Sequence, residues 1–95
     1  MAKLYRREMT ITHKEFLRLL PKALSGLAFK INGNRIILND DGRSVVIDLS
    51  TESIRKIGSL ALPTTNVQIE LLSFDEAESL QFMSRFDLAY QKGGG

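Results

Sequence analysis

The sequence lacks cysteine and contains a single histidine, His13. The absence of cysteine excludes disulfide bonds, thiolate catalysis and cysteine-ligated zinc, and it fits a reducing compartment, so we expect a cytoplasmic protein. A lone histidine has no second imidazole with which to complete a metal site. Long apolar runs are lacking too, since no stretch reaches the length of a bilayer span or of a signal-peptide core. We therefore expect a soluble protein with no membrane partner.

Motifs for nucleotides and metals are also lacking. The glycines belong to no G-x-G-x-x-G or P-loop arrangement, and the adjacent carboxylates Asp40 and Asp41 lie in "NDDG", which is typical of a tight turn between strands. We therefore predict no cofactor, no metal site and no catalytic residue, and we favour a non-enzymatic protein. An enzyme stays open as an alternative, because a small domain can gather Arg, Asp and Tyr side chains around a cleft that no sequence pattern reveals.

The composition is that of one globular domain, with 43% hydrophobic and 25% charged residues in a chain of 95. We predict a single α+β domain over residues 1–92, followed by a flexible glycine tail at 93–95. The charge is uneven: residues 1–47 carry a net charge of +5 and the rest of the chain carries −3. Such a chain is suited to binding an anionic partner through its first half, or a complementary protein through either half.

The first half predicts a helix followed by a three-stranded meander. Thr12 and Glu15 have the spacing of a capping box, so a helix begins near His13. In "LAFKINGNRIILNDDGRSVVIDL", three β-rich runs are separated by the turn sequences "NGN" and "DDG". The alternation of the two outer strands points the following residues to the core: Leu27, Phe29, Ile31, Val45, Ile47 and Leu49.

The second half predicts two further helices and two further strands. In "LSTESIRKIGSL", Ser50 or Thr51 caps a short helix that Gly58 ends, and "NVQIELLSF" follows as a strand. Ser73 and Glu76 repeat the capping-box spacing and open the next helix. The last segment, "RFDLAYQ", fits both an alternating strand and a helical stripe, and we predict the strand.

Together with a first strand around Leu4 to Met9, these segments give the order β-α-β-β-β-α-β-α-β. We predict a small two-layer α+β domain, in which an antiparallel sheet that contains the meander is covered by helices on one face.

A basic helix face is the first candidate site. Lys14, Arg18 and Lys22 recur every four residues on the face of the first helix opposite its apolar side. Such a stripe is able to bind phosphates or RNA, although no exposed aromatic platform accompanies it and a solvated helix face has the same pattern. The basic residues that could extend it are Arg6, Arg7, Lys30 and Arg35.

The end of the chain, "YQKGGG", is the second candidate site. A terminal pair of glycines, here Gly94 and Gly95, resembles the ends of the ubiquitin-like sulfur carriers and protein modifiers. The resemblance covers these two residues alone and implies a terminal carboxylate on Gly95 that is adenylated and then carries sulfur or joins an amine. That family opens with a β-hairpin, whereas a helix comes first here, and a third glycine, Gly93, extends the pair.

Three functions follow from these observations. A small binding domain whose partner is another protein, or a second copy that pairs through an exposed strand edge, is the first. The alternatives are an anion- or RNA-binding domain that uses Lys14, Arg18, Lys22, Arg6 and Arg7, and a carrier protein that uses the carboxylate after Gly94 and Gly95.

Overall fold

The computed structural model describes residues 2–92 and shows a two-layer α+β domain, in which an antiparallel sheet of six strands carries two helices. The predicted fold class is therefore confirmed. In chain order the elements are β1 Ala2–Met9, α1 His13–Ala23, β2 Lys30–Asn32, β3 Arg35–Asp40, β4 Arg43–Leu49, β5 Ser53–Ile57, β6 Leu60–Leu72 and α2 Glu76–Lys92.

The sheet is organised around β6. Its order is β1-β6-β4-β3-β2, so the predicted meander of β2, β3 and β4 is present and β6 lies between β4 and β1. Residues 65–72 of β6 pair with β1, and residues 67–72 pair with β4. Residues 60–64 pair only with β5, so they form a two-stranded ribbon that extends beyond the rest of the sheet. We call this ribbon, residues 53–64, the β5–β6 arm.

The core lies between the helices and one face of the sheet. The two helices meet through an aromatic cluster, in which the Phe16 and Tyr90 rings stack with centroids 4.8 Å apart and Phe86 lies 4.9 Å from Tyr90. The Tyr90 hydroxyl donates a hydrogen bond of 2.8 Å to the Phe16 carbonyl. The sheet contributes alternate residues from three strands, as their period of two requires. These buried sheet residues are Ile36, Leu38, Val45, Ile47, Leu49, Val67, Ile69 and Leu71.

The first strand of the meander differs from its prediction. Leu27 and Ile31 were expected in the core, but they are 41% and 51% exposed, and only Phe29 packs partly against the core. The reason is position: β2 has three residues and pairs only with β3, so it forms the edge of the sheet, with a neighbouring strand on one side alone.

The predicted short helix at 50–58 is wrong, because this segment forms the strand β5. Gly58 has a φ of +59° and, with Ser59, makes a two-residue turn that pairs Ile57 with Leu60. Ser50, expected to cap a helix, instead accepts a hydrogen bond of 2.9 Å at its hydroxyl from the Asn66 amide of β6. A helix this short is marginal in water, whereas pairing with β6 satisfies the backbone.

The predicted last strand is wrong as well, because α2 continues through it. A strand would place Phe86, Leu88 and Tyr90 on one face, but Leu88 is 49% exposed while Phe86 and Tyr90 are buried. The buried positions Met83, Phe86 and Tyr90 follow helical spacing instead. The observed order is β-α-β-β-β-β-β-α.

Hydrogen bonds at the helix starts support one predicted cap and correct the other. The Glu15 amide donates to Thr12 Oγ1 over 3.1 Å, as predicted. At α2 the capping box is made by Asp75 and Glu78 rather than by Ser73 and Glu76. The Glu78 amide donates to Asp75 Oδ1 over 2.7 Å, and the Asp75 amide donates to Glu78 Oε1 over 2.9 Å.

This cap predicts that Asp75→Ala lowers the free energy of unfolding by about 1 kcal/mol, because the Glu78 amide loses its acceptor. Glu76→Ala removes an acidic side chain from the same turn without touching the cap and should cost a few tenths of a kcal/mol. Urea unfolding of both variants provides the comparison. Equal losses would show that Asp75 acts through charge alone.

Candidate functional site

The β5–β6 arm exposes large aliphatic side chains. Ile54, Ile57 and Leu60 are 62%, 55% and 60% exposed, and every residue from 51 to 61 is exposed. The arm ends in the turn Gly58-Ser59, where the positive φ of Gly58 at the first central position is that of a type II′ turn. An apolar, two-stranded ribbon of this kind is marginally stable in water unless a further strand or surface packs on it. The arm is therefore a candidate contact surface.

The backbone of the arm leaves one edge of β5 open. Residues that flank a two-residue turn exchange both hydrogen bonds, and bonded pairs then alternate with non-bonded ones. Since Ile57 pairs with Leu60, the pairs of Lys56 with Ala61 and of Ile54 with Pro63 are non-bonded. The N–H and C=O groups of Ile54 and Lys56 consequently point away from β6. Within residues 2–92, β5 pairs with no other strand, so these groups have no strand opposite them.

The outer side of β6 in the arm has a different character. Pro63 lies in a non-bonded pair with Ile54, so its backbone nitrogen is on the side of β6 that faces away from β5. Proline has no N–H there to donate to another strand.

Contacts at its base hold the arm in place. Arg55 forms an ion pair with Glu8 of β1. Thr65, fully buried where β6 enters the sheet, donates from Oγ1 to the Ile11 carbonyl over 2.9 Å. His13 Nε2 lies 2.6 Å from the Ser50 carbonyl and therefore donates a hydrogen bond to it, which ties the start of α1 to the segment before β5.

The predicted basic face lies on the exposed side of α1. Lys14, Arg18 and Lys22 are all exposed, but Arg18 forms an ion pair with Glu15 through two of its nitrogens, Nε and Nη2. This pairing raises the pKa of Arg18 and lowers the pKa of Glu15, chiefly through their hydrogen bond. Part of the positive charge of the stripe is thus balanced locally. Anion or RNA binding through this face stays a prediction.

The strand arginines that were expected to extend this face do not all share one face of the sheet. Arg6 and Arg7 are neighbours on β1, so their side chains leave opposite faces of the sheet. Arg7 pairs with Asp87 of α2, with Nη2 and Oδ2 3.0 Å apart. That hydrogen bond is the main reason that the pKa of Arg7 is raised. Arg35 pairs with Asp48 of β4 over 2.8 Å.

An open depression of about 460 Å³ lies where β1, β4 and β6 approach the base of the arm. Its rim brings together Arg6, Glu8 and Asp48, with Gln68 between them. Charges of both signs meet here, so the depression has no single-sign field that would concentrate an anion.

The remaining residues singled out in the sequence either form a turn or lie outside the described residues. Asp41 and Gly42 have φ values of 51° and 81° and form the predicted turn between β3 and β4. Among residues 2–92, no group of three or more His, Asp or Glu side chains is arranged to hold a metal ion, and neither helix is long and apolar enough to cross a bilayer. Gly94 and Gly95, the predicted carrier tail, lie outside the described residues.

Sequence reasoning missed the arm, although a signal for it exists. A Gly-Ser pair between "SIRKI" and "LAL" is one of the two-residue connections that indicate a β-hairpin. The same segment also has a capping residue at its start and charges that favour a short helix, and the helix was predicted for that reason.

Comparison of the chain with protein-family models, with curated proteins and with solved structures finds no match to any of them.

Proposed function

We propose that this protein is a non-enzymatic protein-binding domain of the cytoplasm and that the β5–β6 arm is the surface by which it binds. The observation that carries this proposal is the exposure of Ile57 and Leu60 as a facing pair at the end of a projecting ribbon, with Ile54 exposed on its other face. Clustered apolar side chains on an otherwise polar surface mark protein interaction sites, and large side chains that enter a partner's pocket supply most of the binding energy. A hairpin with a narrow apolar tip is suited to entering a groove.

Charge beside the tip indicates the chemistry of the partner. Lys56 precedes Ile57 and is exposed, and the ion pairs among residues 2–92 do not include it, whereas Arg55 is already held by Glu8. We therefore expect the partner to be a protein with an apolar groove flanked by carboxylates. Their attraction to Lys56 would mainly accelerate association and fix the orientation of the arm.

Affinity capture from native lysate with three forms of the protein tests this function. The forms are the wild type, the arm variant I57D/L60D, and the control L80D/L88D, which places the same charges on similarly exposed leucines of α2. We expect a partner protein that the wild type and the control retain and that the arm variant loses. With the purified partner, the arm variant should bind roughly 30-fold or more weakly, as for loss of a central anchor.

Each capture is repeated after nuclease treatment, which separates the alternatives. A partner that disappears with nuclease would support binding of nucleic acid through Lys14, Arg18 and Lys22 instead. A partner that the arm variant retains at wild-type level would refute the role of the arm.

A further inference from the structure

The open edge of β5 differs from the other two edge strands of the described sheet. β1 carries four charged side chains and β2 has only three residues, and both charge and shortness discourage pairing with another chain. β5 also carries two charged side chains, but Arg55 is already paired with Glu8, two of its five residues are exposed isoleucines, and the outward backbone groups of Ile54 and Lys56 are available. Of the three edges, β5 is therefore the best suited to accept a further strand.

We propose that two copies of this chain pair through their β5 edges, antiparallel and about a two-fold axis that passes between their Ile54 residues. In this register Ile54 lies opposite Ile54 of the second copy, and Glu52, which directly precedes β5, lies opposite Lys56 of the second copy. The two-fold axis repeats the contact of Glu52 with Lys56, so the interface contains it twice. Opposite charges and apolar side chains in facing positions both stabilise an antiparallel pair.

The backbone supports the same register. Two-fold pairing needs the outward groups of one strand to meet the outward groups of the other, and in β5 these belong to Ile54 and Lys56. Ile54 then exchanges two backbone hydrogen bonds with Ile54 of the second copy. The backbone of Lys56 forms hydrogen bonds with the backbone of Glu52 of the second copy. If the second strand were shifted by one residue, the outward N–H and C=O groups of Ile54 would face the residue Arg55. The N–H and C=O groups of Arg55 point inward and already bond to β6.

Of the neighbouring registers that keep this backbone match, the one centred on Ser53 sets Glu52 opposite Ile54 and joins no opposite charges, and two others are opposed by charge. Moving the axis to Arg55 sets Arg55 directly opposite Arg55 of the second copy, and moving it to Lys56 sets the two lysines opposite each other. Facing like charges destabilise a strand pair. Pairing centred on Ile54 is therefore the register that joins opposite charges.

The resulting assembly is a four-stranded ribbon in the order β6, β5, β5 of the second copy and β6 of the second copy. Antiparallel pairing sends the two sheet bodies in opposite directions. Ile57 and Leu60 lie on the other face of the arm from Ile54, because facing directions alternate along a strand. Self-pairing thus goes beyond the proposed function. It leaves Ile57 and Leu60 free for a different protein, whereas Lys56 can face either Glu52 of the second copy or the carboxylates of that protein.

Disulfide trapping tests the register, because the chain has no cysteine of its own. In an Ile54→Cys variant the facing Cα atoms would be about 5.5 Å apart, which a disulfide spans. Ile57→Cys is the matched control: its exposure is similar, but the two residues would lie about 20 Å apart, six positions along the ribbon. Under mild oxidation we expect covalent dimer from Ile54→Cys at least about tenfold faster than from Ile57→Cys. Equal rates, or a faster control, would overturn the register.

Charge reversal tests the contact between Glu52 and Lys56. Sedimentation equilibrium of the wild type should show a reversible dimer. Lys56→Glu should weaken that dimer about tenfold or more, because it creates two facing pairs of carboxylates, and the double variant E52K/K56E should restore it. A wild type that stays monomeric at its highest soluble concentration, or a dimer that Lys56→Glu leaves unchanged, would overturn the proposal. Because purified protein alone is used, the result is independent of whether the arm binds another protein.

Discussion

Replacing Phe16 with alanine is expected to lower the free energy of unfolding by about 3–5 kcal/mol. Phe16 is fully buried, and its ring stacks on Tyr90 and lies 6.2 Å from Phe86, so it joins α1 to α2. A domain of this size has a total stability of roughly 5–10 kcal/mol. The variant should therefore lose about half of its stability, which urea unfolding followed by circular dichroism would measure.

The matched control for this prediction is Phe29→Ala. Phe29 is only partly buried against the core, beside the edge strand β2, so its removal leaves no enclosed cavity and should cost clearly less. If both variants lost the same stability, the aromatic contact between the helices would not be the centre of the core.

The second large effect is expected in alkali and depends on Tyr90. Burial raises the pKa of this hydroxyl well above the ordinary tyrosine value of about 10. Below pH 10 the hydroxyl is protonated in the folded and unfolded chains alike, so its full contribution to stability is present. Above pH 10 the unfolded chain releases a proton that the folded chain keeps, and the free energy of unfolding falls by about 1.4 kcal/mol per pH unit.

Tyr90→Phe isolates this effect. At neutral pH the variant should be about 1 kcal/mol less stable than the wild type, because it lacks the hydrogen bond to the Phe16 carbonyl. Above pH 10 the deficit should shrink and then reverse, since phenylalanine has no proton to lose. Lysines titrate in both proteins and cancel in the difference. Unfolding measured at intervals from pH 7 to about 12 would reveal the crossing, and a difference that does not vary with pH would contradict it.

The sequence predicted the fold where local signals and burial agree. Val45, Ile47 and Leu49 alternate and are buried in β4, and Thr12 caps α1 as its spacing indicates. The residues Asp41 and Gly42 are typical of a two-residue turn, and they form the turn between β3 and β4. In these segments the turn residues, the spacing of the apolar residues and their burial in the core all favour the same element. The local sequence was therefore enough to predict it.

The errors arise where two patterns fit one segment and a distant contact decides. Ile54 and Ile57 have helical spacing, but the pairing of Ile57 with Leu60 makes their segment a strand. Phe86 and Tyr90 fit either element, and it is the stacking of Tyr90 on Phe16, far away in the chain, that favours the helix. Such contacts cannot be read from local periodicity.

The candidate site was predictable only in part for a related reason. A binding domain with an exposed strand edge was expected, but which strand would lie open depends on how far β6 extends past its neighbours. The basic residues of α1 were visible from their spacing, whereas the ion pairs of Arg18, Arg7 and Arg35 depend on tertiary structure.

Pro63 disfavours the addition of further strands to the outer side of β6 in the arm. An open strand edge can pair with a strand of another chain, and repeated pairing of this kind is how cross-β fibres elongate. Within the arm, β5 is the edge better able to add a strand, since the far side of the ribbon has no donor at Pro63. Two chains joined at β5 would present a proline at each outer border of the ribbon, which disfavours the addition of a third chain there.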